Sequence, residues 1–324
     1  MKKTLYSAFL KPLGISPKIN NVNNPEVKPR GSPCFILIFL LFILIGCATA
    51  PRDTEKDKNE ALDSGSLKIA LVLDGMGVHA FAGIGAIRVL EDERIPIHLI
   101  VGNHMGSLIG ALYADATNSF ALEWSAQQLD ERKFYATSFF KGTDRAYASL
   151  NPLKKFSEEK LKTKKIEDLK INFAAVTTNL HNGKTVILDK GSVSDAIIAS
   201  SSIPGYFPPY FEPGKALVSG SLSAGSGVRV AKELGADLVI AVAPQSELVS
   251  FNLKNQKDIV LQTFKIASQS QTETDLEEAD IVIKPDLEKT LFDDFSKKRY
   301  CLIQGKEAAQ NLVQEILSLI ESKK

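Results

Sequence analysis

A chain of 324 residues with 39 Lys+Arg against 38 Asp+Glu, 44% hydrophobic and 8% aromatic, has globular composition and ample length for a buried core. Three cysteines exclude a disulfide scaffold or a Cys-based zinc ribbon, and the four histidines (His79, His98, His104, His181) form no His-x-x-x-His pair. No metal or cofactor is therefore expected, and no basic run is long enough to suggest nucleic acid.

In chain order, the first element is an apolar run of 11 residues, Phe35 to Ile45, too short for a comfortable transmembrane helix. A basic stretch precedes it and small residues follow, which is the pattern of a secretory signal. Residues 1–46 hold six Lys/Arg and one Glu, so removing their +5 turns the formal +1 into −4. A mildly acidic body has no bulk attraction to anionic lipid, so membrane contact has to come from an anchor or an apolar patch. The run closes as Leu44-Ile45-Gly46-Cys47, which resembles a bacterial lipoprotein lipobox. That resemblance implies a signal peptide over 1–46 and a lipidated Cys47 as the new N-terminus. Ala48, where an Asp would imply retention at the inner membrane, places the protein at the outer membrane facing the periplasm. Residues 47–66 are polar and almost without apolar side chains, so they are expected to form a flexible tether to a folded domain over 67–324.

From Lys68 the texture changes. Lys68 to Leu73 has the continuous apolar character of a buried parallel strand, followed by a glycine turn and a helical pattern through Arg94. His98 to Val101 is a second strand, running through Gly102-Asn103-His104-Met105-Gly106 into a helix ending near Asp115. Strand, glycine turn, helix, repeated, is the signature of a parallel sheet. Asn172 to Thr178 and Thr185 to Leu188 are predicted strands joined by a type I′ turn at Asn182-Gly183. Ser192 to Ser201 is a predicted helix stopped by Pro204. Ala216 to Val218, Asp237 to Val242 and Ile281 to Ile283 are further core strands, and Glu307 to Ile320 is an amphipathic closing helix.

These segments, in this order, resemble the bacterial patatin-like phospholipases over about residues 67–320. Leu73 to Gly85 stands at that family's glycine-rich oxyanion loop, Ile97 to Tyr113 at its nucleophile elbow, and Asp195 to Pro209 at its Ile-Pro block. Leu217 to Ser221 stands where the family has its catalytic Asp. The resemblance implies an α/β fold, a three-layer α/β/α sandwich around a mostly parallel sheet. It also implies a Ser–Asp dyad that cleaves lipid acyl esters, and here every chemical position differs. His104 stands for the nucleophile and Ser219 for the Asp, and the oxyanion loop reads Gly75-Met76-Gly77-Val78-His79-Ala80. Met76 adds a side chain where a backbone must approach the substrate carbonyl, and would be strained or would reshape the loop if that position needs positive φ. The oxyanion donors implied by the resemblance are the amides of Gly75, Met76, Gly77 and Met105.

Loss at both dyad positions favours a member without hydrolase activity, acting in phospholipid or fatty-acyl binding or as an envelope scaffold. The alternative is an active acyl hydrolase in which His104 serves as base toward Ser219. Ser107, inside the first helical turn, is expected to be a packing residue, and His79 a hydrogen-bonding brace for the oxyanion loop. His98 and His181 are most simply surface residues, and Asp195 a helix cap. Tyr206, Phe207, Tyr210 and Phe211 form the densest aromatic cluster, either core or the lining of an acyl groove.

Overall fold

The computed structural model describes residues 67–137, 146–245 and 253–324. The signal expected over 1–46, the tether over 47–66 and Cys47 lie outside the described residues. The chain opens with β1 (Ile69–Leu73), a 3-10 turn (Gly77–Ala80), α1 (Phe81–Asp92), β2 (Leu99–Gly102) and α2 (Gly106–Ala116). A peripheral stretch follows: α3 (Ser119–Gln127), α4 (Glu131–Phe134), the short pair β3 (Ala136–Thr137) and β4 (Ala148–Ser149), and α5 (Asn151–Lys160). Then come β5 (Asn172–Asn179), β6 (Lys184–Leu188), α6 (Val193–Ser201), β7 (Tyr210–Glu212), β8 (Lys215–Ser219) and α7 (Val228–Glu233). The last elements are β9 (Leu238–Val242), α8 (Gln256–Leu276), β10 (Ile281–Ile283), α9 (Lys298–Gln310) and α10 (Val313–Lys323).

The main sheet has the order β10-β9-β1-β2-β5-β8-β7, with β6 also paired to β5. Every pairing from β10 across to β5 is parallel, while β6 and β8 run antiparallel to β5, and β7 antiparallel to β8. The strand period of two divides β1 between two cores. Ile69, Leu71 and Leu73 join side chains of α1, α2, α6, α9 and α10 on one face. Ala70 and Val72 join Val228, Val230 and Ala231 of α7 and the partly buried Leu276 of α8 on the other. This is the expected three-layer α/β/α sandwich around a mostly parallel sheet.

Small residues set the tightest approaches. A Cβ on Gly85 of α1 would lie 2.1 Å from the Leu302 carbonyl oxygen, and one on Gly305 of α9 would lie 1.9 Å from that of Ala82. The two helices therefore meet backbone to backbone.

Four local expectations are corrected. The β5–β6 hairpin exists, but its register pairs Asn179 with Lys184 across a four-residue loop. Gly183 alone among the loop residues has positive φ, so the turn is not type I′. The closing helix is two helices, because the chain bends at Asn311–Leu312 between α9 and α10. The cap of α6 is Ser192, whose Oγ accepts the Asp195 amide at 3.2 Å; Asp195 itself pairs with Lys154 at 2.7 Å. His98 is not a mere surface residue: its Nδ1 accepts the amide of Ile69 at 3.0 Å, tying β1 to the start of β2.

Candidate functional site

The sheet register assembles the site. Gly102, the last residue of β2, pairs with Ala175 of β5, and two residues further along β5, Thr177 pairs with Ser219 at the end of β8. The elbow after β2 and the loop after β8 therefore face each other at one end of the sheet. Asn103 ties them: its Nδ2 donates to the Gly225 carbonyl at 2.9 Å, and its Oδ1 accepts the His104 amide at 3.0 Å.

The elbow is a tight strand-to-helix turn with a strained residue at its tip. His104 has φ +50°, the left-handed region, which costs a non-glycine residue about 1–2 kcal/mol. Neighbours hold it there: the His104 carbonyl accepts from Ser107 Oγ at 2.5 Å and Ser201 Oγ at 3.1 Å. Ser107 thus does structural work, as expected. The frame glycines have no slack, since a Cβ on Gly102 would lie 2.4 Å from Ser107 Cα and one on Gly106 would lie 2.1 Å from the Leu73 carbonyl oxygen.

The imidazole at the tip sits between two polar groups. His104 Nδ1 is 2.9 Å from Asp74 Oδ1, and its Nε2 is 3.4 Å from Ser221 Oγ. A carboxylate only accepts, so Nδ1 carries a proton, and in the neutral ring Nε2 is left as an acceptor for the Ser221 hydroxyl. Ser219 is placed differently from the sequence expectation. Its Oγ lies 3.4 Å from Asn103 Oδ1 and 3.2 Å from Ser221 Oγ, and its link to the His104 ring runs through Ser221. The cause is local: Ser219 ends β8 and caps the following 3-10 turn, Gly220–Leu222, by accepting the Ser221 amide at 3.4 Å. Asp74 and Ser221 had no assigned role in the sequence. A signal for Asp74 was present, a carboxylate at the mouth of the glycine turn after β1, but only the fold shows that it meets residue 104.

The glycine loop has been rebuilt around Met76. Met76 takes an ordinary extended conformation (φ −77°, ψ 133°), so of the two alternatives, strain or a reshaped loop, there is no strain at Met76 itself. Positive φ falls on its neighbours, Gly75 at +142° and Gly77 at +51°, and a Cβ on Gly77 would lie 1.9 Å from the Phe292 carbonyl oxygen. Two of the four amides that the resemblance assigns to an oxyanion hole, those of Met105 and Gly75, are engaged within the protein. The Met105 amide donates to the Gly75 carbonyl at 3.1 Å, and the Gly75 amide donates to Asp74 Oδ1 at 2.7 Å. Further round the loop, Val78 donates to the Phe292 carbonyl and His79 to that of Met76. His79 is a brace, as expected: its ring Nε2 meets the Thr290 carbonyl at 2.8 Å. Burial lowers His79 to about 4, against the opposing pull of that carbonyl, and the positive Lys265 lowers it further. The ring is neutral at pH 7 and donates Nε2–H.

The site is covered by α8, a 21-residue helix that the sequence reading did not identify. Phe264 of α8 packs edge-on against His104, ring centroids 6.2 Å apart. Near the end of α8 the fully buried Asp275 accepts from Ser226 Oγ (2.7 Å) and from the amides of Gly227 (2.8 Å), Val228 (2.8 Å) and Arg229 (3.1 Å). One carboxylate thus satisfies the donors at the start of α7 and locks α8 to the loop after β8. Of the aromatic cluster, Tyr206 and Phe207 are core, packed against Phe134, Tyr135 and Phe292, whereas Phe211 on β7 is exposed. Among the described residues no group of three His, Cys, Asp or Glu could hold a metal ion. No helix among them is long and apolar enough to cross a membrane.

Comparison with known proteins agrees with this architecture. The family described as Patatin-like phospholipase matches residues 71–232. The chain is 32% identical over 177 residues to Lysophospholipase NTE1 of Phaeosphaeria nodorum, covering 54% of this chain and 12% of that protein. It is 30% identical over 187 residues to human patatin-like phospholipase domain-containing protein 6, covering 54% of this chain and 13% of that one. The match thus spans about an eighth of the length of these relatives. Among solved structures, VipD from Legionella pneumophila superposes with a TM-score of 0.50 at 10% identity, covering 77% of this chain and 67% of that one.

Proposed function

The chain belongs to the patatin-like phospholipase family, and from that premise we propose that it is an envelope lipoprotein that holds an acyl lipid without sustained cleavage of the family's ester bond. The observation that carries this reading is the Met105 amide, one of the oxyanion donors that the resemblance implies, which donates to the Gly75 carbonyl at 3.1 Å. Removing one such donor commonly costs about 10²–10³ in rate. Here the nucleophile and the activating carboxylate of the family pattern are also absent, replaced by His104 and Ser219. What the fold keeps is the framework around which that family handles acyl chains.

Attachment through Cys47 gives the domain its place in this reading. The apolar run Phe35 to Ile45 ending at Cys47 supports lipidation, and the net −4 of the remaining chain offers no electrostatic substitute. The location proposed is the outer membrane, facing the periplasm, with the membrane lipid itself as ligand. The experiment is fractionation of cells expressing the full chain, followed by mass spectrometry of lipid extracted from the purified protein. Wild-type protein is expected in the membrane fraction with acyl lipid bound, and Cys47→Ala protein is expected to be released or unprocessed. A Cys47→Ala protein still firmly membrane-bound after signal cleavage counts against the anchor, and a lipid-free wild-type preparation counts against the ligand.

A further inference from the structure

We propose that Ser221 is a covalent acyl acceptor, activated by His104, which Asp74 holds in place. Three observations converge on it. Asp74 Oδ1 accepts from His104 Nδ1 at 2.9 Å, which fixes both the ring's orientation and its tautomer. The opposite nitrogen, Nε2, faces the Ser221 hydroxyl at 3.4 Å, within reach of a base whose bond to its nucleophile tightens when a substrate is present. All three residues come from different loops at the same end of the sheet: the turn after β1, the elbow after β2 and the turn after β8. Nucleophile, base and orienting carboxylate in that order are the working parts of a Ser-His-Asp relay, recognised by geometry and role.

The relay inverts the pattern the family resemblance implies. There the elbow presents the nucleophile, whereas here the elbow presents the base. The strained φ of +50° at His104 aims the imidazole at the facing loop, and the hydroxyl it meets is two residues beyond the position of the family's Asp. This inference rests on the acyl-holding reading, which supplies the donor, an ester-linked acyl chain. In the step, Ser221 Oγ attacks the acyl carbonyl carbon while its proton passes to His104 Nε2. The ester C–O bond then breaks, and the same proton leaves with the alcohol. The product is an ester between the acyl group and Ser221.

Hydrolysis of that ester is slow for a structural reason. Ser221 is 1% exposed and His104 5%, so the acyl group, once on Ser221, fills the buried site and screens its own ester carbonyl from water. The relay therefore charges once and holds its acyl group.

The test uses the full chain with two serine-directed probes, an alkyl fluorophosphonate and the smaller phenylmethylsulfonyl fluoride. Intact mass and peptide mapping are read together with the binding of a dansyl-labelled fatty acid. The expected result is one adduct per chain on Ser221, none in Ser221→Ala, and labelling at least about 100-fold slower in His104→Ala. Asp74→Asn is expected to slow labelling about tenfold or more and to change its pH profile, since the amide no longer fixes the His104 tautomer. No adduct with either probe, an adduct mapped to Ser219 or elsewhere, or labelling indifferent to His104→Ala overturns the proposal. Fatty-acid binding without a Ser221 adduct removes this inference and leaves the acyl-holding reading standing. Loss of fatty-acid binding in the wild-type protein removes that reading as well.

Discussion

The elbow after β2 and the glycine loop after β1 adjoin at the site, where the Met105 amide donates to the Gly75 carbonyl, yet they are held in different ways. The elbow is framed by glycines in backbone contact. The loop carries Met76 and closes its backbone onto itself, His79 donating to the Met76 carbonyl. The reason is packing. A side chain on Gly106 would collide with the backbone of Leu73, which is held in the interior strand β1 between β9 and β2. Met76 sits in extended backbone at φ −77°, a conformation open to any residue, with its side chain only half-buried. Gly106 is therefore fixed by backbone contact, whereas nothing in the backbone at position 76 demands a particular residue.

Substitutions separate the two regions by size of effect. Gly106→Ala is expected to lose about 3 kcal/mol or more of unfolding free energy, because its Cβ would lie 2.1 Å from a carbonyl oxygen that has no room to retreat. Urea melts measure this, and a loss below about 1 kcal/mol would show that the elbow is not held by packing. His79 probes the loop by pH. Its value falls from 6.5 unfolded to about 4 folded, so the unfolded chain binds more protons between those limits. The stability it contributes is complete above pH 6.5 and is lost as the pH drops toward 4, by up to about 3 kcal/mol. His79→Gln, which keeps a donor for the Thr290 carbonyl, should flatten that slope. An unchanged slope would place the titrating group elsewhere.

Asp275→Asn tests the wall opposite the loop. It removes the charge that accepts from Ser226 and from three amides of the α7 start, and about 2 kcal/mol is expected to go with it. Hydrogen exchange should quicken in α7 and the end of α8 together. Faster exchange in α7 alone would mean that Asp275 caps without locking. Met76→Ala is the smallest change, about 1 kcal/mol, since it trims a half-buried side chain and leaves the backbone unstrained. A much larger loss would make Met76 part of the frame, and the contrast with Gly106 would fail.

How much of this was legible in the sequence follows the same division. The strands of the sheet announce themselves because they are buried on both faces and read as continuous apolar runs, Lys68 to Leu73 above all. The elbow is legible through its glycines. Helix α8 is not, because its inward side chains (Leu261, Phe264) are few and are separated by exposed polar and apolar residues, Thr263 and Ile266 among them. Asp275 was invisible for the related reason that a carboxylate on a polar helix looks like a solvated one. The pairing of His104 with Ser219 rather than Ser221 followed the family register. What moved the contact by two residues is the cap that Ser219 makes on its own turn, a hydrogen bond that sequence spacing does not reveal.

The proposal that this site does not sustain ester cleavage rests on the Met105 amide, one of the implied oxyanion donors, being bonded to the Gly75 carbonyl. The most direct measurement is nitrophenolate release from a short-chain nitrophenyl ester, in large excess over the purified wild-type protein and followed for many equivalents. The account predicts at most one equivalent released per chain, followed by the background rate of the buffer. Linear release over many equivalents, abolished by Ser221→Ala or Ser219→Ala, would contradict it and make this protein a working hydrolase.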